Sequence, residues 1–129
     1  MSTLPKRERL HGRSVIGEVF STGKRFSVAP FRVVWRYRTD DDQPVLRFGI
    51  SVSKKISKKA VDRNRIKRCS REAYRAVKQD FTAILQSQEK QIDFFLVYSG
   101  TIHTCTEELR EKIILILNRL TAKHGPTSR

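Results

Sequence analysis

Between Lys54 and Lys78 the chain carries eleven lysines and arginines against only two acids, Asp62 and Glu72. A segment with that charge cannot enter a core, because an unpaired charge taken out of water costs more than packing returns. It must lie on the surface, held by the few apolar positions it contains. Ala60 or Val61, then Cys69, Ala73, Tyr74 and Val77 fall at helical spacing into a narrow seam. This predicts one long helix from a Ser57 cap to about Gln79, with Asp62 close to its positive end. Arg63, Lys67, Arg71 and Lys78 then share one side, and Arg68, Arg71 and Arg75 continue it at three- and four-residue steps. Like charges at that spacing repel, and a bound polyanion offsets the repulsion. A helix face made only for solubility usually mixes signs, and this one does not.

The whole chain agrees with its most basic segment. Its 27 Lys and Arg against 13 Asp and Glu leave +14 over 129 residues, an excess that sets up a strong positive field around one domain-sized body. A single domain over 1–129 is expected, with a core of about 9–122 and loose ends at 1–8 and 125–129. An anionic membrane is the weaker partner for this charge, because the basic stretch has only a thin apolar stripe. Met1 to Leu10 has no apolar run of signal length, and nothing approaches the roughly 20 apolar residues of a span, so a cytoplasmic protein is expected. Cys69 and Cys105 lack the spacing of a zinc or redox motif, so reduced thiols are expected.

On either side of the basic segment the periodicity alternates between helix and strand. Val15, Ile16, Val19 and Phe20 predict a short first helix, with Gly23 as a left-handed stop. From Phe31 the strict alternation puts Phe31, Val33, Trp35 and Tyr37 on one side of a strand and Arg32, Val34, Arg36 and Arg38 on the other. Asp40, Asp41, Asp42, Gln43 and Pro44 supply a turn, and Val45 to Val52 reads as a second strand antiparallel to the first. Ile92 to Tyr98 is a compact apolar run, as expected of a buried central strand. Thr104-Cys105-Thr106-Glu107 has the form of a capping box before Leu109, Ile113, Leu117 and Leu120. The expected order is αββαβα, an α+β two-layer sandwich.

No protein-borne active site is legible. His11, His103 and His124 are scattered, and there is no glycine-rich phosphate loop and no HExxH or GxSxG motif. Asn64 stands apart among the arginines, since its amide both donates and accepts and suits a base edge, a ribose hydroxyl or a metal-bound water. Its blander role is a hydrogen bond to the preceding turn. The aromatics Phe20, Phe26, Phe31, Trp35 and Tyr37 cluster where the first helix should meet the sheet; most belong to a core, and one or two at a cleft edge would stack on unpaired bases, at roughly 1–3 kcal/mol per base.

The run Arg47-Phe48-Gly49-Ile50-Ser51-Val52-Ser53-Lys54-Lys55, followed by Ala60-Val61-Asp62-Arg63-Asn64-Arg65-Ile66-Lys67-Arg68 and Arg71-Glu72-Ala73-Tyr74-Arg75, closely resembles the bacterial ribonuclease P protein family. Leu10, Val19-Phe20, Gly23, Arg25 and Phe31 extend the resemblance to roughly residues 9 to 120. The resemblance implies a fold like the second domain of ribosomal protein S5, with a left-handed β-α-β crossover around the basic helix, where generic handedness rules predict a right-handed one. It implies that Lys54, Lys55, Arg63, Asn64, Arg65, Lys67, Arg68 and Arg71 face a catalytic RNA. Phe20, Arg25 and Phe31 would line a cleft for the single-stranded 5′ leader of precursor tRNA. Ile16 and Val34 depart from the family, whose members often carry aromatics there. Catalytic magnesium would act through the RNA, no protein partner is implied, and a structural RNA-binding module such as a ribosomal protein, or a protein-only nuclease, are the rival readings.

Overall fold

The computed structural model describes residues 8–10, 12–38, 45–53, 59–99 and 107–122. Helix α1 (Arg13–Thr22) is followed by strands β1 (Lys24–Val28), β2 (Phe31–Tyr37) and β3 (Leu46–Val52), the long helix α2 (Ala60–Ser87), strand β4 (Ile92–Tyr98) and helix α3 (Glu107–Leu120). The order is therefore αβββαβα. Strand β1 is the element that periodicity misses, because its five residues hold only two apolar side chains, Phe26 and Val28. It forms an antiparallel pair with β2 through which those two reach the core.

The four strands lie in the order β1-β2-β4-β3. β4 is antiparallel to β2 and parallel to β3, so α2 is the crossover of a β-α-β unit. The expected hairpin between β2 and β3 does not form. β3 does run antiparallel to β2, but β4 lies between them. Its almost wholly apolar sequence is buried along nearly its full length, and a strand of that kind is most stable with a neighbour on each side.

Period-two alternation divides the sheet into two unlike faces. Phe26, Phe31, Val33, Trp35, Phe48, Ile50, Phe94, Leu96 and Tyr98 point toward α2 and α3 and form the main core with Ile66, Tyr74, Phe81, Leu85, Ile113, Ile116 and Leu117. The opposite face holds a smaller cluster of Leu10, Val19, Val34 and Phe95, with Val15, Ile16, Phe20 and Val97 packed on it from α1 and β4. Phe95 lies over Gly49, its register partner; a Cβ on Gly49 would stand 2.4 Å from the ring.

The helices correct four expectations. α2 starts at Ala60 with Lys59 as its N-cap and no side-chain cap, while Ser57 lies outside the described residues. It runs to Ser87 because Phe81 and Leu85 carry the buried seam of Ile66, Ser70 and Tyr74 beyond the basic stretch. Val61 is not in that seam; it is 71% exposed. Gly23 ends α1 in extended geometry, φ −77° and ψ 160°. Glycine is needed there for close approach, since a Cβ would sit 2.4 Å from the Val19 carbonyl oxygen and 2.8 Å from that of Trp35. The capping box at 104–106 and the aspartate turn at 40–42 lie outside the described residues.

Candidate nucleic-acid interface

The seam that binds α2 to the sheet leaves the other side of the helix to solvent, and the charges follow from that phase. Asn64, Arg65, Arg68 and Arg71, with Val61 and Asp62, line one concave surface of about 810 Å³. Asn64, Arg65 and Arg68 are exposed and Arg71 is half-buried. Arg68 meets Glu72 one turn on at 3.8 Å, an exposed pair of little worth. Arg63 and Lys67 are half-buried and do not line this groove. Lys54 and Lys55 lie outside the described residues. Four of the eight residues assigned to RNA docking from the sequence are thus brought together, and two flank them on the same helix.

The N-terminal segment approaches the same helix. The Glu8 carboxylate pairs with Lys78, Arg9 forms a parallel bridge with Phe48 on the free edge of β3, and the Leu10 amide donates to the Phe48 carbonyl at 2.8 Å. Leu10 then inserts into the cluster beneath α1. Residues 8–10 therefore wrap the edge of the sheet from the α2 side to the α1 side. Burial, and then the neighbouring Arg9 charge, hold the Arg71 guanidinium below its ordinary range. Burial, and then the Glu8 carboxylate, push the Tyr74 phenol well above its own.

The α1 face of the sheet has three rows, read from the strand register. In the middle row Val34, Phe95 and Gly49 lie under α1, and Phe20 meets Phe95 edge-on with centroids 5.2 Å apart. At one end Arg36 and Arg47 flank Asp93, which is completely buried. Arg47 grips that carboxylate through two bonds of 2.7 Å, Arg36 through two of 3.2 Å and Arg38 through one of 3.1 Å. Arg36 also reaches Glu18 of α1 at 3.0 Å. At the other end Arg32, Val97 and Ser51 form a row that includes an exposed arginine. Arg25 projects on the same side, donating to the Phe20 carbonyl at 2.9 Å.

Phe20 and Arg25 are thus together beside α1. Phe31 is not with them. It is 1% exposed in the main core, edge-on to Tyr98, on the opposite face of the sheet. The same alternation that puts Arg32 beside α1 turns Phe31 away. Phe26 and Trp35 likewise belong to the far side, so of the aromatics grouped near the first helix only Phe20 packs against it. Sequence reasoning missed Arg32, exposed on the α1 face, and Asp93 as the anchor of three arginines. Cys69 is disulfide-bonded, a departure from the expected reduced thiol; Cys105 lies outside the described residues. Among the described residues no three His, Cys, Asp or Glu side chains converge that could hold a metal ion, and no helix is long and apolar enough to cross a membrane.

A family model described as Ribonuclease P matches residues 4–121. The chain is 43% identical over 86 residues to the ribonuclease P protein component of Porphyromonas gingivalis, a match spanning 67% of this chain and 63% of that protein. It is 41% identical over 123 residues to the ribonuclease P protein component of Microcystis aeruginosa, covering 95% and 98% of the two chains. Among solved structures, the RNase P protein from Thermotoga maritima superposes with a TM-score of 0.68 at 29% identity, over 88% of this chain and 97% of that one. The Staphylococcus aureus RNase P protein shares the fold at a TM-score of 0.67 and 24% identity, over 86% and 93%.

Proposed function

The chain belongs to the ribonuclease P protein family, and from that premise we propose that it is the RNA-binding subunit of a ribonucleoprotein that cleaves the 5′ leader from precursor tRNA. The observation that carries this reading is the groove on α2, where Asn64, Arg65, Arg68 and Arg71 share one solvent-facing surface of a helix anchored along its opposite side. Guanidinium groups spaced along a rigid helix suit a phosphate backbone, and the amide among them suits a base edge or a ribose hydroxyl. Arg63 and Lys67 flank the groove on the same helix, Lys54 and Lys55 are assigned to the same RNA by the family resemblance, and the Phe20, Arg25 and Arg32 side of the sheet takes the single-stranded leader.

In this proposal the protein performs no bond-breaking step. Magnesium, bound by the RNA subunit, would supply the activated water. The side chains of this chain neutralise phosphates where leader and catalytic RNA approach each other, which lowers their repulsion and broadens the tolerated substrates and metal concentrations. The benefit is electrostatic, so it is largest at low ionic strength and fades as salt competes for the same phosphates.

The test is cleavage of a precursor tRNA by a ribonuclease P RNA transcript, with and without the protein, across ionic strength at low magnesium. A rate gain that shrinks with salt is expected. Equal rates with and without protein would overturn the proposal and leave a structural RNA-binding module; activity of the protein in the absence of RNA would point to a protein-only nuclease.

A further inference from the structure

The strap of residues 8–10 brings a cation to the basic helix that the helix sequence does not contain. Glu8 is tied to Lys78, and Arg9 is held by backbone pairing to Phe48, whose ring stacks on Tyr74 with centroids 4.6 Å apart. Tyr74 lies on α2 between Arg71 and Lys78, so the strap crosses the helix beside the last residue of the groove. Arg9 is exposed. Among the described residues neither Arg9 nor Arg71 is paired with a carboxylate. Two guanidinium groups set close together without an acid repel each other, and an anion that accepts from both turns that repulsion into binding.

We propose that Arg9 and Arg71 together form a phosphate clamp at the strap end of the α2 groove, taking a backbone phosphate of the bound RNA. The inference rests on the reading of α2 as an RNA-docking helix. Glu8 marks the limit of the site, since its carboxylate occupies Lys78 and repels phosphate beyond that point. Arg9 stands at the sheet edge around which the chain passes from the α2 side to the α1 side, so the clamp fixes RNA where the two surfaces meet. Burial first, and then the Arg9 charge, lower the ionisation of Arg71, and the second cause agrees with the closeness of the two cations.

The opposite signs of two effects test this. In the free protein, Arg9→Ala removes repulsion and no side-chain bond, so its melting temperature at low salt should be unchanged or higher than that of the parent chain. Affinity for a ribonuclease P RNA transcript should fall roughly ten-fold at low salt. The slope of log affinity against log salt should become shallower by about 0.7–0.9, the signature of one lost phosphate contact. Arg9→Lys should retain the slope. Unchanged affinity and slope in Arg9→Ala would overturn the clamp. So would a lowered melting temperature, which would make Arg9 a structural tie. The double variant Arg63→Ala, Arg65→Ala, measured alongside, separates the two levels: if it also binds normally, the docking reading of α2 fails, and if it alone binds weakly, only the clamp does.

Discussion

The two faces of the sheet are built from alternate residues of the same strands and could hardly differ more. Toward α2 and α3 the strands present an apolar layer, with Lys24 at its β1 edge over the Trp35 ring. Toward α1 they present a short apolar band flanked by arginines, one group locked on a buried carboxylate, with Arg25 and Arg32 left exposed. The closed face has two helices to cover it and the other has one of ten residues. A face that one short helix cannot cover must be polar at its ends, and in a chain of net charge +14 those ends are cationic. Stability and polyanion binding are thereby assigned to opposite sides of one sheet.

If that division holds, substitutions on the two faces should separate in size. Phe94→Ala, at the centre of the closed face, should cost about 3–5 kcal/mol in chemical denaturation through lost burial and the cavity left behind. A cost near 1 kcal/mol would show that the closed layer is not the main source of stability. Gly49→Ala, on the α1 face, forces the Phe95 ring to move and should cost about 1–3 kcal/mol, a smaller loss because only the minor cluster is disturbed. Should it exceed the Phe94 loss, the ranking of the faces is wrong. Smallest is Tyr74→Phe. The Tyr74 hydroxyl is buried without a hydrogen-bond partner among the described residues, so at neutral pH its removal should change stability by less than about 1 kcal/mol.

That last variant has a stronger effect in alkali. Burial, then Glu8, raises the Tyr74 pKa in the folded state, so the unfolded chain loses its proton first. The stability of the parent chain is full below a pH of about 10, the ordinary tyrosine value, and declines as pH rises above it. Tyr98, raised by burial and then Glu108, contributes in the same direction. Melting curves from neutral to alkaline pH should show a shallower decline for Tyr74→Phe than for the parent; parallel curves would mean that the phenol ionises as freely in the fold as outside it.

Much of this was legible in the sequence, and what was not shares a physical cause. The alternation at Phe31–Tyr37, the apolar run at Ile92–Tyr98 and the basic helix are local patterns, and local patterns survive into the fold. Strand order is not local. Adjacency suggested a hairpin of β2 and β3, but a later segment of the chain takes the place between them. Asp93 is similarly opaque: an acid inside an apolar run makes sense only with Arg36, Arg38 and Arg47, which come from before β4 and from both of its neighbours. Removing it would leave three guanidiniums around an empty position, the uncompensated arrangement that buried ion pairs penalise most. The misplacement of Phe31 is of another kind, since its own alternation with Arg32 already put it on the core side. Arg9 carried no signal, because its position depends on a strap that folds around an edge.

The strand order also sets a schedule for assembly. Among the described residues β4 is the last strand, and it sits in the interior of the sheet. While the chain is being synthesised, β1 and β2 can pair as soon as both have emerged, but β3 has only the bridge from Arg9 beside it until residues 92–98 arrive. The basic helix is complete before the strand that finishes the floor beneath it. A polypeptide that stops after Ser87 therefore lacks its middle rather than its end, and the sheet closes in one late step built on contacts between residues far apart in the chain.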